Sequence, residues 1–151
     1  MQLSVETIVN APQEKVWATV TDIEHCANVI SAIVDLKILA KPDDGIIGLK
    51  WTETRLMFGK SASETMWITD AVAPSYYCTR AESHGSVYLT KIMLSETADG
   101  ATNLVMSFTA EPQSIGIKVM SILMAPIIKG AMIKALQQDL NDIKNYVEAL
   151  D

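Results

Sequence analysis

The chain is poor in the side chains that metal and redox chemistry need. It has two cysteines and two histidines in 151 residues. Cys26 and Cys78 fall in different predicted elements and form no CxxC pair, so they read as reduced thiols and not as a disulfide or a metal site. His25 and Cys26 are adjacent, about 100° apart on a helix, and cannot grip one ion together. His84 precedes Gly85 in a predicted turn and is expected to be solvated. No structural metal and no cofactor are expected. No run of Lys and Arg occurs, and the net charge is −6, which argues against a nucleic-acid partner. GxSxG, a Walker-type glycine-rich loop and HExxH are all missing, so no nucleophile with its base stands at a recognisable spacing. The one apolar-rich stretch, Ile115 to Ile133, is broken by Lys118, Pro126 and Lys129, so no integral membrane segment is expected. The opening MQLSVETIVNAPQEKVW lacks a basic region followed by an apolar core. No signal peptide is therefore expected, and the cytoplasm is the expected compartment.

What is present is ordinary soluble material, 49% hydrophobic and 20% charged. A chain of this length is expected to form one domain, 1–151, and to bury roughly two-thirds of its unfolded surface. Monomer and homodimer are both compatible with it.

Residues 45 to 70, GIIGLKWTETRLMFGKSASETMWITD, carry the strongest signal. They read as two long strands, 45–57 and 61–72, about a two-residue Gly59-Lys60 turn. That turn sets Phe58 opposite Ser61, Arg55 opposite Glu64 and Trp51 opposite Ile68. Alternation puts Trp51, Glu53, Arg55, Met57, Ala62, Glu64, Met66 and Ile68 on one face. This face holds large apolar residues together with two carboxylates and a guanidinium. A buried charge must be paired or it costs several kcal/mol. A sheet that only built a core would not carry those charges; a sheet lining a cavity can.

Residues 2–9 alternate as a strand. Asn10 or Ala11 can cap a first helix with Pro12 in its opening turn, buried through Val16, Trp17 and Val20. Asp22 is placed to cap a second short helix from Ile23 to about Val29. A strand follows near Ile33 to Leu39. After Ala73-Pro74 come strands near 75–83 and 86–97, joined at His84-Gly85 so that Tyr77 faces Ile92 and Ala81 faces Tyr88. Their inward set is Tyr77, Thr79, Ala81, Tyr88, Thr90, Ile92 and Leu94. Strand 101–111 turns Leu104, Met106, Phe108 and Ala110 to one side. Matching that set to Leu94, Ile92 and Thr90 requires the three-residue loop Ala98-Asp99-Gly100, with Gly100 left-handed. From Ser114 the period changes. Leu136, Leu140, Ile143, Val147 and Leu150 recur every three or four residues, with polar residues including Asp139 between them, which is a long amphipathic helix. Pro126 is expected to start a new segment or to kink a continuous one.

The fold class is therefore α+β: one strand, two short helices, six strands and a long final helix. A seven-stranded antiparallel sheet curls, and only the carboxy-terminal helix is long enough to cover its concave side. A cavity between the two is the natural by-product.

This order of elements resembles the START-like helix-grip proteins (SRPBCC), and within them the polyketide cyclase/dehydrase and lipid-transport families. The resemblance spans essentially the whole chain. It is carried by Asn10-Ala11-Pro12-x-x-x-Val16-Trp17, Gly48-Leu49-Lys50-Trp51-Thr52-Glu53-Thr54-Arg55 and Met57-Phe58-Gly59-Lys60. It continues through Ala73-Pro74, Gly85, Asp99-Gly100, Phe108-x-Ala110-Glu111-Pro112 and Asp139-Leu140. It implies a hydrophobic cavity for a lipid, polyketide, sterol-like or aromatic ligand. It does not imply one reaction, because such folds host binders, transporters, cyclases and co-chaperones alike.

Two readings of Glu53, Arg55 and Glu64 stand side by side. In the favoured one, Arg55 pairs across the strands with Glu64, and Glu53 is a diagonal partner. In the other, Arg55 anchors a ligand carboxylate or enolate and one glutamate moves a proton, which makes all three catalytic candidates. Ligand contact is expected from Trp51, Met66, Ile68, Leu104, Met106 and Phe108 on the sheet, with hydroxyls from Tyr77, Tyr88 and Thr90. Met120 and Met124 are expected to contribute from the helix, since thioethers repack around different shapes. The leading functional reading is binding or transport of a small hydrophobic ligand. The alternatives are a cyclase/dehydratase using Arg55 with Glu53 or Glu64, and a co-chaperone or membrane-peripheral assembly factor working through 115–133.

Overall fold

The alternation at the amino terminus becomes strand β1, Gln2–Val9, with Leu3, Val5 and Val9 buried and Ser4, Glu6 and Ile8 outward. The computed structural model describes residues 1–57, 59–83, 85–113 and 115–150, with the backbone alone for 115–125. Helix α1, Gln13–Val20, follows Pro12 and buries Val16 and Val20. Its start carries no side-chain cap; Pro12 O instead accepts from the Lys15 and Val16 amides. A six-residue 3₁₀ helix, Ile23–Asn28, comes next. Asp22 precedes it without capping it, because its carboxylate lies 2.9 Å from His25 Nδ1 instead.

Strands β2 (Ile33–Ala40), β3 (Lys50–Met57), β4 (Lys60–Val72), β5 (Tyr76–Ser83), β6 (Ser86–Glu96) and β7 (Thr102–Pro112) follow. They form one seven-stranded antiparallel sheet in the order β1-β7-β6-β5-β4-β3-β2. The β5–β6 register matches the sequence expectation, with Tyr77 opposite Ile92 and Ala81 opposite Tyr88. So does β6–β7, where Leu94 faces Leu104 and Thr97 and Ala101 close a three-residue loop. Gly100 there has φ 81°, a left-handed value that only glycine adopts freely.

The charged hairpin departs from expectation. Trp51 faces Met66, Glu53 faces Glu64, Arg55 faces Ala62 and Met57 faces Lys60, so Lys60 belongs to the ladder and not to the turn. A slip of two residues leaves every side chain on its own face, which is why alternation alone could not detect it. The outer face decides the register: Thr52 Oγ1 meets Thr65 Oγ1 and Thr54 Oγ1 meets Ser63 Oγ, each at 2.7 Å. The expected strand over 45–57 also begins later, at Lys50. Gly45 and Gly48 take φ 66° and 92° and turn the chain before the ladder starts.

Helix α2, Ile115–Glu148, runs unbroken through Pro126. Its carboxy-terminal half buries Leu136, Leu140, Ile143 and Val147 over β1 and β7. Asp139, expected on the polar side, is 1% exposed and belongs to the buried stripe. It stands three residues after Leu136 and four before Ile143, so helical geometry sets it beside both.

Candidate functional site

The concave face of the sheet and α2 enclose a cavity of about 380 Å³, inside the size range of small-molecule sites. Most of its wall is apolar. Trp51, Met66, Ala81, Ile92, Met106 and Phe108 come from the sheet, Ile23 and Ile30 from the region after α1, and Ile128, Met132, Leu136 and Ile143 from α2. Tyr88 and Phe108 stack with ring centroids 5.9 Å apart, forming a flat aromatic wall.

One corner is charged. On β3, residues 53 and 55 point inward together because strand side chains alternate, so Arg55 Nε donates to Glu53 Oε2 at 2.6 Å. The other Glu53 oxygen, Oε1, accepts from Trp51 Nε1 at 3.0 Å. Arg55 then reaches across to α2: Nη1 donates to Asp139 Oδ1 at 3.2 Å, and Nη2 lies 2.8 Å from Oδ2. Burial works against the Arg55 charge, but Asp139 and Glu53 more than offset it and hold the guanidinium above its ordinary value. For Asp139, burial outweighs the pull of Arg55 and raises its carboxyl. Burial foremost, then Glu53 and Asp22, push the Cys26 thiol up to about 12, so it faces the cavity as a neutral group.

The expected Arg55–Glu64 pair is therefore replaced by a Glu53–Arg55–Asp139 cluster. With Arg55 opposite Ala62, the guanidinium finds its second carboxylate on the covering helix and not on the neighbouring strand. Glu64 still lines the cavity, and its charge raises the Tyr88 hydroxyl, after burial.

Of the residues expected at a ligand site, Trp51, Glu53, Arg55, Glu64, Met66, Tyr77, Tyr88, Thr90, Met106 and Phe108 line the void. Tyr77 lines it with its ring only, because its hydroxyl is spent on Val20 O at 2.9 Å. Ile68 and Leu104 do not line it: they are 1% and 0% exposed and belong to the packed core. Met120 and Met124 lie outside the described side chains. Asp139, Cys26 and Met132 join the wall without having been expected at a ligand site, and Thr79, expected on the inward face, joins it too. The spacing of Asp139 from Leu136 and Ile143 is the sequence signal that places it there, against its polar character.

Among the described residues no group of three or more His, Cys, Asp and Glu side chains is placed to hold a metal. No helix among them is long and apolar enough to cross a membrane.

Solved structures of the same shape cover nearly the whole chain at low identity. TTHA0849 from Thermus thermophilus superposes with a TM-score of 0.80 at 15% identity, covering 99% of this chain and 98% of the other. A START superfamily protein from Mycobacterium smegmatis gives 0.80 at 17% identity, with 99% of both chains covered. The Zhui aromatase/cyclase from Streptomyces sp. R1128 gives 0.80 at 14%, covering 98% of this chain and 93% of the other. At these identities the likeness establishes the helix-grip fold. No curated protein matches the chain. The family model for polyketide cyclase/dehydrase and lipid transport matches residues 1–148, and the chain belongs to that family.

Proposed function

We propose that the protein binds or carries a small hydrophobic ligand, a lipid, polyketide or aromatic molecule, between its sheet and α2. One observation carries this reading: an apolar-walled cavity of about 380 Å³ lies under the helix, where a domain built only for stability would interdigitate side chains. The charged corner supports binding over catalysis. Arg55 donates to both Glu53 and Asp139, and Glu53 also accepts from Trp51, instead of standing ready for a substrate proton.

The test is native mass spectrometry of protein purified without detergent, followed by displacement of the dye ANS by fatty alcohols and aromatic ketones. Added mass on the folded chain, or saturable displacement tracked by loss of ANS fluorescence, is expected. Failure of every apolar probe to bind, with the protein folded, defeats the reading.

The alternative is a cyclase or dehydratase that uses Arg55 with Glu53 or Glu64. One observation favours it: the Asp139 carboxyl, raised by burial, faces the same void and is suited to proton transfer. Turnover of a polyketide-like substrate that is lost in Asp139→Asn, with ligand affinity retained, would select this reading over simple carriage.

A further inference from the structure

Two hydroxyls on the floor of the cavity have no hydrogen bond among the described residues. Thr79 on β5 stands directly opposite Thr90 on β6, both on the inner face and both in the cavity wall. Across the sheet, Ile68 lies beside Thr79 and Phe108 beside Thr90. Along the strands, Tyr77 and Ile92 flank the pair on one side, Ala81 and Tyr88 on the other. The pair is thus set in the middle of a largely apolar floor.

The other neutral donors of the wall are engaged. Thr19 Oγ1 donates to Lys15 O, Cys26 Sγ to Asp22 O, Trp51 Nε1 to Glu53 and the Tyr77 hydroxyl to Val20 O. The Tyr88 hydroxyl meets Ser86. Thr79 and Thr90 have no such partner among the described residues. Both are also within reach of a ligand. Asp139 Oδ2 is the one unbonded side-chain oxygen or nitrogen among the described residues that is fully enclosed. The two threonine hydroxyls keep some surface, and on the inner face that surface opens on the cavity.

A hydroxyl turned into an apolar enclosure without a partner is a net cost to the fold. On the outer face Thr52 and Thr65 avoid it by bonding each other at 2.7 Å. Valine at 79 and 90 would keep the β-branched shape that suits a strand and remove the cost. A ligand oxygen removes it too, and the pair is spaced for one atom. Cβ atoms of directly opposed residues stand about 4.5–5.5 Å apart, a gap that two O–H···O bonds of about 2.7–2.8 Å each can span. A carbonyl oxygen has two lone pairs and no proton of its own to place, so it takes both donors at once.

Resting on the binding reading above, we propose that Thr79 and Thr90 are the polar anchor of the cavity: their hydroxyls donate together to a carbonyl oxygen of a neutral ligand whose ring lies against the Tyr88–Phe108 wall. Thr90 stands opposite Phe108 and two residues from Tyr88, so a ring on that wall brings its own substituent to the pair.

The test uses 2-acetylnaphthalene and 2-isopropenylnaphthalene, which have nearly one shape and differ in C=O against C=CH2. Isothermal titration calorimetry compares them on the wild type and on the double variant Thr79→Val with Thr90→Val. The affinity of the ketone relative to the alkene should fall about tenfold in the double variant, the worth of two ordinary hydrogen bonds. The alkene should bind no more weakly than before. Each single variant should lose part of the ketone preference, and either one serves if the double variant does not fold. Without ligand, the variants should resist urea as well as the wild type does, because no hydrogen bond within the fold is lost. An unchanged ratio of ketone to alkene affinity overturns the proposal and leaves the binding reading intact. A fall in ligand-free stability does the same, since it would mean that the hydroxyls are bonded within the fold. Failure of both probes to bind the folded wild type removes the binding reading and this proposal with it.

Discussion

Arg55 Nη2 lies 2.8 Å from Asp139 Oδ2, so one guanidinium on β3 ties the concave wall of the sheet to the helix that covers it. Glu53 completes the arrangement from the same strand as Arg55. Breaking such a partly buried cluster by removing one member strands the others. Arg55→Met is expected to cost about 3 kcal/mol, the low end for buried pairs because the Arg55 side chain keeps 23% exposure. Replacing the whole set, Glu53→Gln with Arg55→Met and Asp139→Asn, leaves no stranded charge and keeps an acceptor for Trp51. That triple variant should be closer to wild type than Arg55→Met alone. Urea unfolding decides it: a triple variant weaker than the single one would mean that the cluster contributes net stability beyond its pairing.

How much of this was legible beforehand differs between the sheet and the site. Alternation placed Trp51, Glu53, Arg55 and Met66 on the inner face, and the apolar match across the loop at 98–100 set the β6–β7 register. The pairing partner of Arg55 was misplaced for two physical reasons. A two-residue slip in the hairpin is invisible to alternation, and only the Thr52–Thr65 and Thr54–Ser63 hydroxyl pairs on the outer face distinguish the registers. An aspartate on a helix reads as solvated until its spacing from Leu136 and Ile143 is checked. Ile68 and Leu104 share the inner face with the cavity residues, but a face does not say where along it the helix packs tightly and where a void opens.

Tyr77 separates structural from ligand-facing hydroxyls. Its ring lines the cavity, yet its hydroxyl donates to Val20 O at the end of α1. Tyr77→Phe leaves that buried carbonyl unpaired and is expected to destabilise the fold by about 1–3 kcal/mol. Affinity for an apolar probe should hardly change. A variant of normal stability with weakened binding would move Tyr77 into the ligand site.

The two thiols are expected to react very differently. With Cys26 near 12, raised first by burial, only about one molecule in ten thousand carries its thiolate at pH 8. Cys78 is also raised, by burial first, but it is only partly buried. Ellman's reagent on native protein should titrate one thiol promptly, with peptide mapping placing it at Cys78. The second should appear only on unfolding. Prompt modification of Cys26 would mean that the cavity opens readily to solutes of that size.

Acid should loosen the attachment of α2 through Asp142. Burial raises its carboxyl, but the Ser31 amide at 2.9 Å, the Ser31 hydroxyl at 2.8 Å and Gln138 together hold it below the ordinary value. A carboxylate lower in the folded than in the unfolded chain binds fewer protons when folded. Its stabilisation is therefore full above about pH 4 and lost as pH falls through the lower folded value. Asp142→Ala should cost about 1 kcal/mol at pH 7, given its exposure. The variant should also show a shallower loss of stability between pH 5 and 3. Parallel stability curves for wild type and variant across that range would contradict this assignment.

Ligand access is expected at the end of α2 that carries Pro126. The proline lacks the amide that would bond back to residue 122, which weakens the helix locally. Ile127 and Ile128 are 70% and 40% exposed just beyond it, whereas Leu140 and Val147 are fully buried further along. Ile128 and Met132 nonetheless line the cavity, so this stretch is both less anchored than the carboxy-terminal half of the cover and part of the binding wall. Local opening should follow that gradient of burial. Hydrogen exchange measured by mass spectrometry should be faster across 127–133 than across 136–147, and a bound apolar ligand should slow the first window while leaving the second unchanged. Uniform protection along both windows, with ligand still entering, would place the entrance elsewhere and make α2 a fixed cover.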